Sequence, residues 1–201
     1  MQLFYSQTSP FARKVNLLLH YTSLINECEL VMTTFESDDL RAKNPLGKIP
    51  ALVDGPFSLF ESSLICEYLD DKHALSGAPS LYNRGIGAYY EQQKVNAYAN
   101  GILDAAVATI MEIRRATEHS TYWLERWDTA IENALSAIDI KHAGTAEKPN
   151  IATFSLAAAL GYLDFRLANL AWRAGHPELA AWFEKIEETE WFAKTAPPAA
   201  A

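Results

Sequence analysis

The apolar residues in the first third of the chain change their spacing several times, and the changes mark out alternating strands and helices. Met1 to Tyr5 is a short apolar run that reads as a strand. From Phe11 the apolar positions Phe11, Val15, Leu18 and Leu19 recur at the spacing of one helix face, with Arg13, Lys14 and Asn16 falling elsewhere. Pro10 suits the first position of that helix, where its missing N–H costs nothing, and Ser9 is the matching N-cap. Cys28, Leu30 and Met32 alternate with Glu29 and Val31 in a second strand pattern, and the polar stretch Glu36 to Lys43 has room for a short helix. Asn44-Pro45-Leu46-Gly47 breaks the chain. Ile49 to Val53 and Phe57 to Phe60, joined through Asp54-Gly55-Pro56, predict a hairpin. Glu61 to Lys72 follows as a helix with Leu64, Ile65, Tyr68 and Leu69 on one side. The predicted order is βαβαββα, an α/β domain over residues 1–76.

Strand patterns stop there. Around residues 77–84 the composition shifts to Ser, Gly, Ala, Pro and Asn, which marks a linker. Ile86, Tyr89, Tyr90, Ala97, Ile102, Leu103, Ala106, Ile110 and Ile113 trace one long helix to about Ala116. Trp123, Leu124, Trp127, Ile131, Leu135 and Ile138 trace another. Asn150 reads as the N-cap of an apolar helix through Leu156, Leu160, Leu163 and Leu167, and Leu179, Trp182, Phe183 and Ile186 begin a last one. Residues 85–201 are therefore expected as an all-α domain ending in a frayed tail made of Pro197-Pro198 and the alanines after them.

Composition narrows the function. A formal charge of -8 over 201 residues and a pI near 5.1 argue against nonspecific attraction to nucleic acid or to an anionic membrane surface. With 49% hydrophobic residues the chain has ample material for a packed core, yet no window reaches the ~18 apolar residues of a membrane span. Cys28 and Cys66 are too few and too far apart for a disulfide framework, so a reducing cytoplasm is expected. His20, His73, His119, His142 and His176 show no metal-ligand spacing, and no metal is expected. Both cysteines read as small buried residues, and the acidic run Glu184, Glu187, Glu188 and Glu190 reads as a solvated face.

Three short stretches carry candidate chemistry. Ser9 places a hydroxyl where backbone N–H groups and the positive pole of a helix dipole favour an anion, making it a candidate thiolate or phosphate binder. The Ile49-Pro50 bond can be cis at a cost of about 0.5–1 kcal/mol, and a cis turn there presents the Ile49 N–H and C=O to a ligand. Glu61-Ser62-Ser63 opens another helix with a carboxylate and a hydroxyl able to hold an amino-acid head group.

Taken together, Ser9-Pro10-Phe11-x-x-Lys14-Val15, Asn44-Pro45-Leu46-Gly47-Lys48-Ile49-Pro50-Ala51-Leu52 and Glu61-Ser62 before Ile65-x-x-Tyr68-Leu69 closely resemble the soluble glutathione S-transferases, especially bacterial members. Gly101-Ile102-Leu103-Asp104-Ala105 and Gly161-Tyr162-Leu163-Asp164-Phe165-Arg166 extend the resemblance over the whole chain. It implies a thioredoxin-like N-terminal domain, an all-helical C-terminal domain, and a homodimer that uses glutathione as co-substrate. On the same resemblance, Ser9 donates a hydrogen bond to the glutathione sulfur, with Phe11 beside it in the motif. Ile49, before a cis Pro50, pairs with the cysteinyl unit. Glu61 and Ser62 hold the γ-glutamyl amine and carboxylate, Lys48 reaches the glycyl carboxylate, and Asp104 approaches the glutamyl amine. Tyr98, Ile102, Met111 and Trp172 are expected to line a hydrophobic pocket between the domains for the second substrate. Relatives often carry a Ser/Thr-x-x-Asp cap where this chain has Asn150-Ile151-Ala152-Thr153, and Asp where it has Asn100. The implied activity is attack of the glutathione thiolate on a small hydrophobic electrophile. Alternatives are a non-catalytic binding or scaffold protein, or glutathione-dependent ether cleavage, isomerisation or dehalogenation.

Overall fold

The computed structural model describes residues 1–198, so the alanines expected to end a frayed tail lie outside the described residues. Two compact units form: one holds residues 1–82 together with the C-terminal segment from Thr189, the other holds Asn83–Glu188. The sequence pattern had grouped that last segment with the helical region. It belongs to the first unit.

In the first unit the elements run β1 (Gln2–Tyr5), α1 (Pro10–Tyr21), β2 (Glu29–Met32), α2 (Asp38–Lys43), β3 (Ala51–Asp54), β4 (Phe57–Phe60) and α3 (Ser62–Leu75), which is the βαβαββα order. The four strands lie in the order β2-β1-β3-β4, with β1 and β2 parallel and the other two pairings antiparallel. Helices α1 and α3 pack on each other, and α2 packs on the β3–β4 hairpin. Phe4, Ala12, Leu40, Ile49 and Ala51 form one core cluster, flanked by Tyr5, Val31, Val53 and Phe60. Because β2 is an edge strand, its alternation buries less than the pattern suggests, and both Leu30 and Met32 are exposed.

Helix α1 departs further from its pattern. Arg13, Lys14 and Asn16, set apart from the apolar face, are all buried. The reason is that α1 has neighbours on more than one side: α3, and the short helix α9 (Glu190–Ala193) of the C-terminal segment. Polar groups in such a place need partners. Arg13 Nε donates to Thr195 Oγ1 at 3.3 Å with its guanidinium 4.2 Å from the Phe192 ring centroid, and Lys14 Nζ donates to Ser63 Oγ at 2.9 Å.

The second unit is helical. It comprises α4 (Ile86–Ile113), α5 (Thr121–Ala137), α6 (Ile151–Arg166), α7 (Trp172–Gly175) and α8 (Pro177–Glu187). Helix α4 packs on both α5 and α6, and α6 is buried along Ile151–Leu163. Asn150 caps α6 in a reciprocal box: its Oδ1 accepts the N–H groups of Ala152 and Thr153, and Thr153 Oγ1 accepts the N–H of Asn150 at 2.9 Å. Among the described residues no single helix is long and apolar enough to cross a membrane.

Candidate functional site

Ser9 stands in extended backbone directly before α1, with φ -78° and ψ 117°, and Pro10 occupies the first helical position. Its Oγ accepts the N–H of Ala12 at 3.2 Å, which satisfies one of the orphan donors at the helix end. Among the described residues no group accepts the hydroxyl's own proton, so that proton is available to an incoming acceptor. The side chain is buried to 9% exposure, a setting where a charge-assisted hydrogen bond is little diluted by water. Phe11, the next residue of the motif, is half-buried.

The segment before β3 is built by Asn44, which the sequence had marked only as a chain break. Its buried side chain donates from Nδ2 to the Lys48 carbonyl at 2.8 Å and accepts the Leu46 N–H on Oδ1 at 3.0 Å. The Gly47 N–H donates to the Asn44 carbonyl at 2.8 Å, closing a turn that Gly47 enters at φ 62°. The Asn-Pro-x-Gly spelling was the available signal, since Asn and Gly suit such turns. This fixed loop delivers Ile49-Pro50, whose peptide is cis. The β3–β4 ladder begins at the Ala51–Phe60 pair, so Ile49 stands outside it, with its side chain buried and Lys48 exposed.

At the start of α3, Glu61 is the N-cap and not a helical residue, a shift of one position from the sequence expectation. Its carboxylate accepts the Ser63 N–H at 3.1 Å and the Leu64 N–H at 3.2 Å. Ser62 is buried, and its hydroxyl donates to Glu61 Oε1 at 3.4 Å. Two helix N-termini, α1 and α3, therefore each carry a hydroxyl residue, and Lys14 links the helices through Ser63.

Cys66 follows one turn later on α3. Burial pushes its thiol up to about 11, which outweighs the nearby positive charge of Lys14, and Cys28 is likewise pushed up to about 11 by burial. Neither is a thiolate at neutral pH, which suits the reading of both as packing residues.

The remaining candidates lie in the helical unit. Asp104 is exposed on α4 and borders a groove of about 830 Å³ between α4 and α5, with Gly101, Ala105, Tyr122, Arg126 and Trp127 among its lining. Tyr98 is half-buried and Met111 is exposed. Ile102 and Trp172 are both buried. Ile102 is fully buried, while Trp172 packs at 6.0 Å between centroids against Phe183 and donates its indole N–H to Asp164 at 2.7 Å. Apolar periodicity does not separate core from pocket lining because both require the same residue types.

Two family models match the chain: the glutathione S-transferase N-terminal domain over residues 3–79 and the glutathione S-transferase C-terminal domain over residues 121–185. The GST-like protein YibF of Escherichia coli (strain K12) is 31% identical over 205 residues, covering all of both chains. A crystal structure of a glutathione transferase family member from Pseudomonas fluorescens Pf-5, with bound glutathione, is 36% identical, has a TM-score of 0.91 and aligns over 98% of this chain and 99% of its own. A second structure of a family member from that organism holds S-(propanoic acid)-glutathione, at 36% identity and a TM-score of 0.86, over 100% of this chain and 98% of its own.

Proposed function

This chain belongs to the glutathione S-transferase family, and we propose that it binds glutathione at the N-termini of α1 and α3 and directs its thiolate at a small hydrophobic electrophile. The observation that carries this reading is the Ser9 hydroxyl, which accepts the Ala12 N–H and keeps its own proton to give. A thiol with a pKa of ~8.5 is only a few per cent ionised at neutral pH, and only the thiolate is a strong nucleophile. Lowering that value by about two units takes roughly 2.7 kcal/mol of preferential stabilisation of the anion. One hydroxyl donor and the positive end of a helix can share that amount. Ser9 does not itself attack; it holds the sulfur ionised and in place while the C–S bond forms and the leaving group departs from the electrophilic carbon.

The rest of the tripeptide is assigned to neighbouring groups of the same unit. Ile49 offers its backbone to the cysteinyl unit beside Pro50, Glu61 takes the γ-glutamyl amine, Ser62 the γ-glutamyl carboxylate, and Lys48 the glycyl carboxylate. Phe11 flanks the sulfur. Asp104 is assigned an approach to the glutamyl amine, and we expect the enzyme to work as a homodimer in the cytoplasm. Tyr98 and Met111 remain candidates for contact with the electrophile. The two glutathione-bound structures at 36% identity support the ligand class.

The experiment is conjugation of glutathione to an activated aryl halide, followed by the release of halide. The wild type is expected to turn over, and Ser9→Ala to lose roughly 10²-fold in kcat/KM, the order seen when one donor to a developing anion is removed. Tight glutathione binding by a protein with no turnover on a panel of such electrophiles would favour a binding protein instead.

A further inference from the structure

One tyrosine of the helical unit is buried without a partner for its hydroxyl. Tyr162, on α6, is only 7% exposed, and among the described residues no group forms a hydrogen bond with its phenolic oxygen. A tyrosine in such a place usually satisfies its O–H, because an unmet polar group in the interior costs free energy. Burial pushes its ionisation above the ordinary range, so at neutral pH the oxygen still carries a proton to donate.

Two arginines converge on that hydroxyl. Arg166 is the last residue of α6, one turn beyond Tyr162, and its guanidinium lies 3.9 Å from the Phe165 ring centroid. Stacking of this kind uses the face of the guanidinium and leaves its N–H edge free for a planar anion. Arg114 directly follows α4, the helix on which α6 packs, and its charge acts on the same hydroxyl as that of Arg166. Neither arginine has a carboxylate partner among the described residues, although acids outnumber bases 25 to 17 in the chain. The acids nearest in sequence are engaged elsewhere: Glu112 with Arg115 and the Ser120 N–H, both at 2.7 Å, and Asp164 with the Trp172 indole and Arg173, both at 2.7 Å. A cation after a helix also complements the dipole, but the ends of α4 and α6 together amount to about one negative charge, so two guanidinium groups leave the place net positive. Dipole complementarity also gives the Tyr162 hydroxyl no acceptor.

We propose that Arg114, Arg166 and the Tyr162 hydroxyl form a binding site for a small organic carboxylate within the helical unit, built from none of the residues assigned to glutathione. The N–H edge of Arg166 takes the carboxylate oxygens, the Tyr162 hydroxyl donates to one of them, and Arg114 adds the second positive charge from α4. The rings of Tyr162 and Phe165, edge to face with 6.5 Å between centroids, offer apolar surface to the body of the ligand.

The test is calorimetric titration of the full chain, with and without glutathione, using benzoate and the neutral benzamide of nearly the same shape. Wild type is expected to take up one benzoate per chain in both conditions and to bind benzamide at least roughly tenfold more weakly. Arg114→Gln and Arg166→Gln each lower the benzoate affinity roughly tenfold and leave that of benzamide nearly constant. Tyr162→Phe keeps both charges and lowers the benzoate affinity by a smaller factor, roughly fivefold. Circular dichroism checks that the variants fold, and the exposed Arg114 decides alone if the other two do not. A wild type that binds no benzoate, or a preference over benzamide that is unchanged in either folded arginine variant, overturns the inference. Glutathione binding is read in a separate titration, so the failure of this site and the failure of the glutathione reading are told apart.

Discussion

Glu61 holds its backbone at φ 76° and turns its carboxylate onto the Ser63 N–H, which both oxygens reach at 3.1 Å. A non-glycine residue at positive φ costs of order 1–3 kcal/mol, and here the cap offsets part of that cost. The two effects separate by substitution. Glu61→Ala loses the cap and keeps the backbone strain, so it is expected to be about 1–2 kcal/mol less stable than wild type. Glu61→Gly loses the cap but relieves the strain, and should recover roughly 1 kcal/mol relative to alanine. Urea midpoints measure this, and equal midpoints for the two variants would argue against strain at this position.

The cap of α6 offers a second test in the helical unit. Thr153 Oγ1 accepts the Asn150 N–H at 2.9 Å and donates to the Ala143 carbonyl, and the whole group is buried or nearly so. Thr153→Val keeps the shape and strands both partners, at about 1–3 kcal/mol for each unsatisfied buried group. A loss of at least roughly 2 kcal/mol is expected, which for a chain of this size lowers Tm by about 4–8 °C. Gly144 belongs to the same cluster: at φ +74° a Cβ would sit 2.5 Å from Thr153 Oγ1 and 2.9 Å from Asn150 N. A wild-type Tm for Thr153→Val would mean that the box is ornamental.

A pH dependence follows from Asp54. Lys72 Nζ and the Tyr68 hydroxyl both donate to its Oδ2 at 2.7 Å, and these hydrogen bonds hold its carboxyl below the ordinary value of 3.8. A depressed carboxyl adds stability above its unfolded value and loses it as the pH falls through the folded one. Asp54→Asn should therefore be less stable than wild type at pH 6, by under about 1 kcal/mol because the pair is partly exposed. The gap is expected to close as the pH is taken below 3.8. Chemical denaturation at a series of pH values measures it, and a gap that widens in acid contradicts the assignment.

The elements of the first unit were legible because its strands and helices are short and sharply punctuated by Pro50, Gly55 and the Ser9-Pro10 start. What periodicity missed is the polar interior. Arg13 and Lys14 look like solvent residues until α9 and α3 are placed beside them, and both contacts join residues distant in sequence. The last helix was expected as one run, but it divides at Glu188 and Thr189, where Thr189 caps a new turn through the Phe192 N–H. The helix α7 was not foreseen, since four residues are too few to display a period. The Ser9 cap of α1 and the cis bond before Pro50 were recognisable from local spelling alone. Ile102 and Trp172 are buried, and periodicity alone does not separate a core residue from a wall residue because the two share the same chemistry.

The role of Ser9 in ionising sulfur is tested most directly by thiolate absorbance of bound glutathione titrated against pH in wild type and Ser9→Ala. The wild-type complex is expected to ionise about two units below the ~8.5 of a free thiol, and the variant to move back toward it by roughly one unit or more, the share of a charge-assisted hydrogen bond. Identical titration curves for the two proteins, both saturated with glutathione, would contradict it.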